Sequence, residues 1–228
     1  MAQVFHRSSN TIAKAGIVGG LLGLLGFSGA VFGFNQTYGN RMYVPVEQPV
    51  PFSHKHHVLD DGIDCRYCHT SVENSSFAGI PPTHTCMTCH SQIWSDSPLL
   101  QPVRESLSTG KPLEWVRVHD MPDFVYFNHS IHVKKGVGCQ TCHGDVSKMP
   151  ITWKEHTMTM SWCLDCHRHP EKYVRPRDAV YKMDWKASDV LNPATKEPYD
   201  QITLGTELVK KYRIRNEEQI TNCSVCHR

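Results

Sequence analysis

All ten cysteines of this chain fall in five copies of one short motif, C-x-x-C-H. The copies are Cys65/Cys68/His69, Cys86/Cys89/His90, Cys139/Cys142/His143, Cys163/Cys166/His167 and Cys223/Cys226/His227. This spacing is the signature of covalent haem attachment, in which two thioethers anchor the porphyrin and the following histidine binds the iron. Paired cysteines also build zinc sites, but zinc gives no reason for a histidine after every second cysteine. We therefore predict five covalently attached haem c groups (iron), numbered haems 1 to 5 in chain order.

The haems must also supply most of the hydrophobic interior. The chain has 228 residues, of which 39% are hydrophobic, and part of this apolar content is concentrated in residues 16–34. The remainder is poor in core-forming side chains, so a chain of this size depends on its haems as core. The formal net charge of +2 becomes negative once the haem propionates are added, and no run of Lys or Arg exceeds two residues. We therefore predict no binding to nucleic acid.

Residues 16–34, "GIVGGLLGLLGFSGAVFGF", carry no charge. As a helix they would span about 28 Å, close to the ~30 Å hydrocarbon core of a bilayer. A cleaved secretory signal is the alternative, because Arg7 and Lys14 precede the segment and "SGA" resembles a weak cleavage site. Small residues recur every three or four positions, as in helices that pack closely on other transmembrane helices. This recurrence favours a retained transmembrane anchor.

Arg7 and Lys14 also predict the orientation of the anchor. Positive charge on the short N-terminal side places that end in the cytoplasm. The haem motifs then lie on the periplasmic or extracytoplasmic side, where c-type haems are attached in bacteria. The predicted location is the inner (cytoplasmic) membrane, crossed once.

The pattern around the first haem motif recurs around the third. "FSHKHHVLDDGIDCRYCH" aligns with "FNHSIHVKKGVGCQTCH", matching Phe52 to Phe127 and, after a slip of one residue, Cys65 to Cys139. A further haem motif follows each copy. We therefore predict a duplicated two-haem module, with the first module at 52–95 and the second at 127–170.

The duplicated F-x-H-x-x-H segment supplies four candidates for the second axial position of the irons: His54, His57, His129 and His132. Two histidines three residues apart on a helical turn point to nearly the same face at different heights. Each can therefore serve a different haem. These four residues are predicted as distal iron ligands.

The repeat does not supply a distal ligand for the fifth iron. Met160 lies three residues before Cys163 and would give one His/Met haem with a raised reduction potential. Its alternative role is to fill a gap against a porphyrin or Trp162. His119, ten residues before the second repeat, is the other candidate, and its alternative role is a hydrogen bond to a haem propionate. The sequence leaves both open.

The other segments connect these parts. We predict a cytoplasmic N-terminus at 1–15, the anchor at 16–34, a linker at 35–51, an inter-module linker at 96–126, and a wrapping segment with the fifth haem at 171–228. "SPLLQPVRESLSTG" predicts a short helix with Ser97 as N-cap and Gly110 as its stop, and "TELVKKYRI" predicts another. No strand pattern of useful length is present.

Taken together, these features resemble the pentahaem cytochrome c subunit of bacterial alternative complex III. The resemblance covers nearly the whole chain: the anchor, both F-x-H-x-x-H modules, the linker "WVRVHDMPDFVYF", the stretch "MSWCLDCHR" and the terminal motif. It implies a mostly irregular and α-helical multihaem cytochrome c with class III or c7-like haem modules, one N-terminal transmembrane helix, and little or no β-sheet.

The resemblance also implies a function and partners. Such complexes oxidise membrane quinol and pass electrons to a cytochrome c or a terminal oxidase. The expected partners are polysulfide-reductase-like multi-span membrane subunits, an iron–sulfur subunit related to molybdopterin oxidoreductases, and a monohaem cytochrome c or an oxidase. The chain itself would carry electrons without catalysing a reaction, because irons with two axial ligands leave no open site for a substrate.

Two other functions are weighed against this one. Pentahaem nitrite reductases share the haem count, but they are about twice as long and carry a lysine in one motif, whereas all five motifs here end in histidine. Small tetrahaem quinol dehydrogenases share the N-terminal helix but not the "WVRVHDMPDFVYF" linker.

Overall fold

A computed structural model describes residues 4–35 and 39–227. It divides into two compact units, Met1–Tyr43 and Val44–Arg228. The predicted segments 1–15, 35–51 and 171–228 each include residues outside the described ranges, so their full extents remain predictions.

The first unit contains one long helix, α1, at Ser9–Phe34. Its 26 residues span about 39 Å and bury no side chain within the unit. The helix is long and apolar enough to cross a membrane, and it lies near the N-terminus. It begins seven residues before the predicted start at residue 16, because nothing in the short polar stretch that includes Lys14 breaks a helix.

The second unit is built from short helices joined by irregular chain. Its α-helices are α2 Cys65–Cys68, α3 Thr83–His90, α4 Gln101–Thr109, α5 His129–Lys134, α6 Cys139–His143, α7 Met160–Arg168, α8 Gln201–Lys211, α9 Glu217–Ile220 and α10 Cys223–Cys226. Single 3-10 turns lie at Pro98–Leu100, Val146–Lys148, Pro170–Lys172, Arg177–Ala179 and Ala187–Asp189. In the described ranges the only β pairings are the isolated bridges Val137 to Val174 and Leu191 to Pro198. The mostly irregular and α-helical fold class is confirmed.

The one-residue slip between the two repeats has a structural counterpart. The second copy forms an α-helix, α5, whereas the first forms a π-helical turn at Lys55–Asp60. A π-helical turn accommodates one more residue per turn than an α-helix. The wider turn of the first copy can therefore absorb its extra residue.

Two small hydrophobic clusters lie outside the haem motifs. One joins the wrapping segment through Val174, Ala187, Tyr199, Leu204, Leu208 and Tyr212. The other joins Val50 to the inter-module linker through Leu100 and Val103. The five helices that carry the C-x-x-C-H motifs contain no buried residue. This distribution fits helices whose apolar faces pack on porphyrins.

Both helices predicted outside the haem motifs are present, with different limits. The first starts as a 3-10 turn at Pro98 and continues as α4 to Thr109, and Gly110 follows it in a left-handed conformation with φ 72°. The Ser97 side chain makes no cap hydrogen bond. Helix α8 begins at Gln201, five residues before the predicted run, because the Asp200 carboxylate accepts hydrogen bonds from the amides of Ile202 and Thr203.

Candidate haem-binding sites

Each C-x-x-C-H motif forms a short helix in which the two cysteines lie one turn apart. Helix geometry puts residues i and i+3 on one face, so both thiols point to the same side as the histidine that follows. Side-chain caps start two of these helices: Asp64 accepts a hydrogen bond from the Arg66 amide, and Asn222 accepts one from the Ser224 amide. All ten cysteines are free thiols. The motifs thus have the local form that thioether attachment requires.

The imidazoles of four motifs are oriented by backbone carbonyl groups. The Nδ1 atoms of these histidines contact carbonyl oxygens at 2.6–3.0 Å, in the pairs His69 to Gly79, His90 to Ile93, His167 to Ile220 and His227 to Phe124. A carbonyl only accepts, so each Nδ1 carries the proton. The Nε2 lone pair is then free for a metal, as in metal-binding histidines generally.

His143 differs from the other four. Its Nδ1 lies 3.3 Å from Nδ1 of His119, and the two ring centroids are 4.3 Å apart. Nε2 of His119 is buried and has no hydrogen-bond partner among the described residues. Burial lowers the pKa of His119 to about 4 and that of His143 well below its usual value. Both rings are therefore neutral near pH 7, and neutral imidazole is the form that binds iron.

The four histidines of the F-x-H-x-x-H repeats are held in a matching way. His57 and His132 each donate from Nδ1 to the carbonyl four residues before, at 2.8 and 2.7 Å. The earlier histidine of each repeat is held by the other module. His129 contacts the carbonyl of Ser76 at 2.8 Å, and His54 contacts the hydroxyl of Thr152 at 2.9 Å. The two modules therefore orient one distal candidate for each other.

The repeat phenylalanines pack on these imidazoles. Phe52 stacks on His57 at 4.5 Å and meets the edge of His54 at 4.9 Å. Phe127 stacks on His132 at 4.5 Å and meets the edge of His129 at 4.8 Å. This repeated arrangement explains why phenylalanine opens both copies of the motif: one ring fixes two imidazoles.

Three of these histidines face the histidine of a haem motif at nearly one distance. The ring centroids are 6.3 Å apart for His129 and His143, 6.2 Å for His132 and His167, and 6.1 Å for His57 and His90. A metal to imidazole nitrogen bond is about 2 Å long. Two imidazoles that bind one metal from opposite sides therefore have centroids about 6 Å apart. The observed distances fit one iron between each pair.

The fourth repeat histidine, His54, is characterised by its electrostatic neighbours. Burial lowers the pKa of His54 to about 4, and the neighbouring His69 adds to this effect. His69 of the first motif is thus one of the residues near His54. The pairing of His54 with the iron of the first motif stays a prediction.

The thiols also show which motifs are neighbours. Burial raises the pKa of Cys68, Cys139, Cys142 and Cys163, and in each case a thiol of another motif raises it further. These neighbouring thiols are Cys86 for Cys68, Cys65 for Cys139, Cys166 for Cys142 and Cys226 for Cys163. These neighbours predict that the motifs follow one another in the order second, first, third, fourth, fifth.

Two of the predicted attachment cysteines lie at the surface. Cys89 of the second motif and Cys223 of the fifth are exposed, whereas the other eight cysteines are partly buried. The second and the fifth motifs are the two ends of this order, so each has a neighbouring motif on one side only. Cys89 still follows Cys86 by one turn of α3, and its attachment to haem 2 stays a prediction.

The two candidates for the fifth distal position, Met160 and His119, lie near different motifs. The His227 ring itself has Phe124 as an aromatic neighbour, with centroids 5.7 Å apart. Met160 is 62% exposed at the start of α7, one turn before Cys163. The Cys163 thiol is the one close to Cys226 of the fifth motif. His119 instead lies beside the third motif.

Sequence reasoning did not find the residues that orient these histidines. Ser76 acts through its backbone carbonyl, for which no side-chain pattern exists. Thr152 is one of several threonines in its region, and only the fold brings it to His54, 98 residues away. Arg175, buried against the residue that precedes Cys139, was also missed.

Comparison with known proteins identifies the family of the chain. Residues 125–228 match the family described as cytochrome c7 and related cytochrome c. The menaquinone reductase multiheme cytochrome c subunit of Nitratidesulfovibrio vulgaris is 35% identical over 158 residues, which are 60% of this chain and 75% of that protein. Cytochrome c-552 of Porphyromonas gingivalis is 32% identical over 83 residues, or 33% of this chain and 16% of that protein. The chain therefore belongs to the c7-like multihaem c-type cytochromes, which transfer electrons through haems held by their C-x-x-C-H motifs.

Proposed function

We propose that this chain is a membrane-anchored pentahaem cytochrome that relays electrons from a quinol-oxidising membrane complex, alternative complex III, towards a cytochrome c or a terminal oxidase. The observation that carries this proposal is the set of nine oriented imidazoles, of which three pairs have centroids 6.1–6.3 Å apart. Bound haem supplies reversible one-electron transfer at its iron. The protein supplies two axial ligands per iron and excludes other ligands from those positions.

The proposed relay has a linear order. Neighbouring thiols support the sequence haem 2, haem 1, haem 3, haem 4, haem 5, because in each adjacent pair of motifs a thiol of one motif raises the pKa of a thiol of the other. His54, His57, His129 and His132 serve haems 1, 2, 3 and 4 as distal ligands. Each haem then contacts the next through a short path inside one protein unit.

Met160 is proposed as the distal ligand of haem 5. It is one turn from Cys163, whose thiol neighbours Cys226, and it is more than half exposed. His119 has its Nδ1 against His143 instead. A methionine-to-iron charge-transfer band in the far-red spectrum of the oxidised protein tests this choice. The band should disappear in Met160→Leu and persist in His119→Gln, and the reverse result would make His119 the ligand.

The pairing of ligands has a spectroscopic test. The imidazole planes differ by 8° for His129 and His143, by 29° for His132 and His167, and by 67° for His57 and His90. Nearly parallel axial planes give a rhombic low-spin ferric EPR signal, whereas strongly crossed planes give a highly anisotropic one. We expect a rhombic signal that is lost in His129→Ala and a highly anisotropic signal that is lost in His57→Ala. The opposite assignment would contradict the pairing.

The membrane partners and the direction of electron flow are tested on the intact complex. We expect the chain to copurify in mild detergent with multi-span subunits and an iron–sulfur subunit, and its haems to be reduced by added quinol and reoxidised by a cytochrome c. Haem staining and the mass of the chain should give five covalent haems. A chain that purifies alone and oxidises quinol by itself would instead belong with the small quinol dehydrogenases, and carbon monoxide binding at the substrate haem would favour the nitrite reductases.

A second direction of flow is favoured by one observation, the 35% identity to a subunit of a protein named menaquinone reductase. In that case electrons would pass from the haems to the quinone. Oxidation of prereduced haems by a menaquinone analogue, with no reduction of oxidised haems by the matching quinol, would support it.

A further inference from the structure

The two modules differ in charge beside their first cysteines. In the first module Asp64 precedes Cys65, and its carboxylate binds the Arg66 guanidinium through Nε and Nη2, both at 2.9 Å. Both side chains of this ion pair are about half exposed, at 47% and 50%. Burial and the Asp64 carboxylate raise the pKa of the Cys65 thiol, and Arg66 partly offsets this effect. Solvent and the partner charge screen such an exposed ion pair.

In the second module Gly138 takes the place of Asp64, and the Arg175 guanidinium occupies the space beside it. A Cβ atom at Gly138 would lie 2.4 Å from Cζ of Arg175. The residue Arg175 is only 7% exposed. Only glycine at position 138 therefore allows the guanidinium to lie against the chain directly before Cys139.

The backbone holds this arginine in place. The Arg175 amide donates to the Gly136 carbonyl at 2.8 Å, next to the bridge between Val137 and Val174. Gly136 has φ 80°, and a Cβ there would lie 2.4 Å from the Arg175 carbonyl oxygen. The two glycines of "KKGVGC" thus have a common structural role, which is to admit the segment that carries Arg175.

The charge of Arg175 is not compensated by a carboxylate in the described part of the chain. Nη1 donates to the Lys182 carbonyl at 3.1 Å, and the guanidinium lies 4.9 Å over the Trp185 ring. Nε is buried and has no hydrogen-bond partner among the described residues. Burial lowers the pKa of Arg175, but arginine stays protonated in proteins. A full positive charge therefore remains in a poorly solvated position.

A haem propionate of the same module is not the natural partner. Thioether bonds form at one edge of a porphyrin and the propionates lie at the opposite edge. Arg175 is packed against Gly138 and acts electrostatically on Cys139, so it would face the thioether edge of a haem attached there.

From this placement we infer that Arg175 sets haem 3 at a higher reduction potential than haem 1, so that electrons pass from the first module to the second. A buried cation stabilises the ferrous haem, which carries one positive charge less than the ferric haem. One electron passes from ferrous haem 1 to ferric haem 3, and no bond or proton is exchanged. The inference rests on the proposed attachment and pairing of haems 1 and 3.

The test is a redox titration of the whole protein, followed by EPR. Removing the charge in Arg175→Gln should lower the reduction equilibrium constant of haem 3 about tenfold, which is about 59 mV for one electron. The signal to follow is the rhombic one assigned to His129 and His143. Arg175→Lys keeps the charge and should keep most of the potential. Lys172→Gln, which removes an exposed cation from the same segment, is the matched control and should shift haem 3 little.

An unchanged haem 3 potential in Arg175→Gln, or equal shifts in that variant and in Lys172→Gln, would overturn the inference. If Arg175→Gln does not assemble, the wild-type titration decides between the outcomes, with the haem 1 signal identified as the one lost in His54→Ala. Haem 3 must then be reduced at a higher potential than haem 1, and the reverse order overturns the inference. Failure of haem attachment at Cys139 would instead contradict the proposed function. A haem count on the same sample distinguishes this failure from failure of the inference about Arg175.

Discussion

Phe127 gives the sharpest test of how the distal histidines are held. Its ring is stacked on His132 and meets the edge of His129, with centroids 4.5 and 4.8 Å away. Phe127→Leu keeps an apolar side chain of similar size but removes both ring contacts. An aromatic pair contributes about 0.5–1.5 kcal/mol, so the two contacts together contribute about 1–3 kcal/mol to the position of the two imidazoles.

The same free energy should favour a competing ligand. Carbon monoxide must displace a distal imidazole to bind ferrous haem, so weaker positioning should increase its apparent affinity about 5- to 150-fold at the two affected haems. We would measure this by titrating the dithionite-reduced protein with carbon monoxide and following the Soret band. In Phe127→Leu the carbon monoxide affinity of haems 3 and 4 should rise. In Phe52→Leu that of haems 1 and 2 should rise instead.

Phe77→Leu is the matched control, because Phe77 is 69% exposed. It should bind carbon monoxide as the wild type does. A Phe127→Leu protein with normal haem content and wild-type resistance to carbon monoxide would refute the idea that this ring holds the imidazoles.

Other contacts give three further predictions. Thr152→Val removes the hydroxyl 2.9 Å from Nδ1 of His54, which should weaken distal ligation of haem 1 by about 1 kcal/mol and raise its affinity for carbon monoxide; an effect on haem 3 instead would contradict the contact. The double variant Gly19→Leu/Gly23→Leu should leave α1 intact, because a Cβ at either site meets nothing within 4 Å. It should reduce the amount of membrane partner that copurifies with the chain. An unchanged amount would argue against docking through this face of the helix. Hydrogen bonds from Thr203 hold the pKa of the Asp200 carboxyl in the folded protein below its usual value. The ionised carboxylate therefore stabilises α8 fully at a pH above the usual pKa, and this stabilisation is lost as the pH falls through the lower pKa of the folded state. Acid unfolding followed by circular dichroism should therefore depend less on pH in this range for Asp200→Asn, and equal profiles would refute this role.

The amino-acid sequence determined everything that depends on short spacing. Attachment of the porphyrins needs only two cysteines and a histidine within five residues, and the apolar helix needs only a continuous run, so both could be recognised directly. The duplicated F-x-H-x-x-H pattern identified four oriented histidines in the same way. Its phenylalanine was noticed as a match, but its contacts with both imidazoles required the fold.

The tertiary structure decided which distant parts meet. The Nδ1 atoms of His54 and His129 are held by the opposite modules, and a backbone carbonyl such as that of Ser76 leaves no pattern in a sequence. The spatial order of the motifs, which leaves Cys89 exposed at one end, likewise depends on how separate segments pack. Gly138 read alone is an ordinary turn residue; only packing shows that it admits Arg175, 37 positions later in the chain. Local chemistry is written in neighbouring residues, whereas the electrostatic environment of each haem depends on residues that only the folded chain brings together.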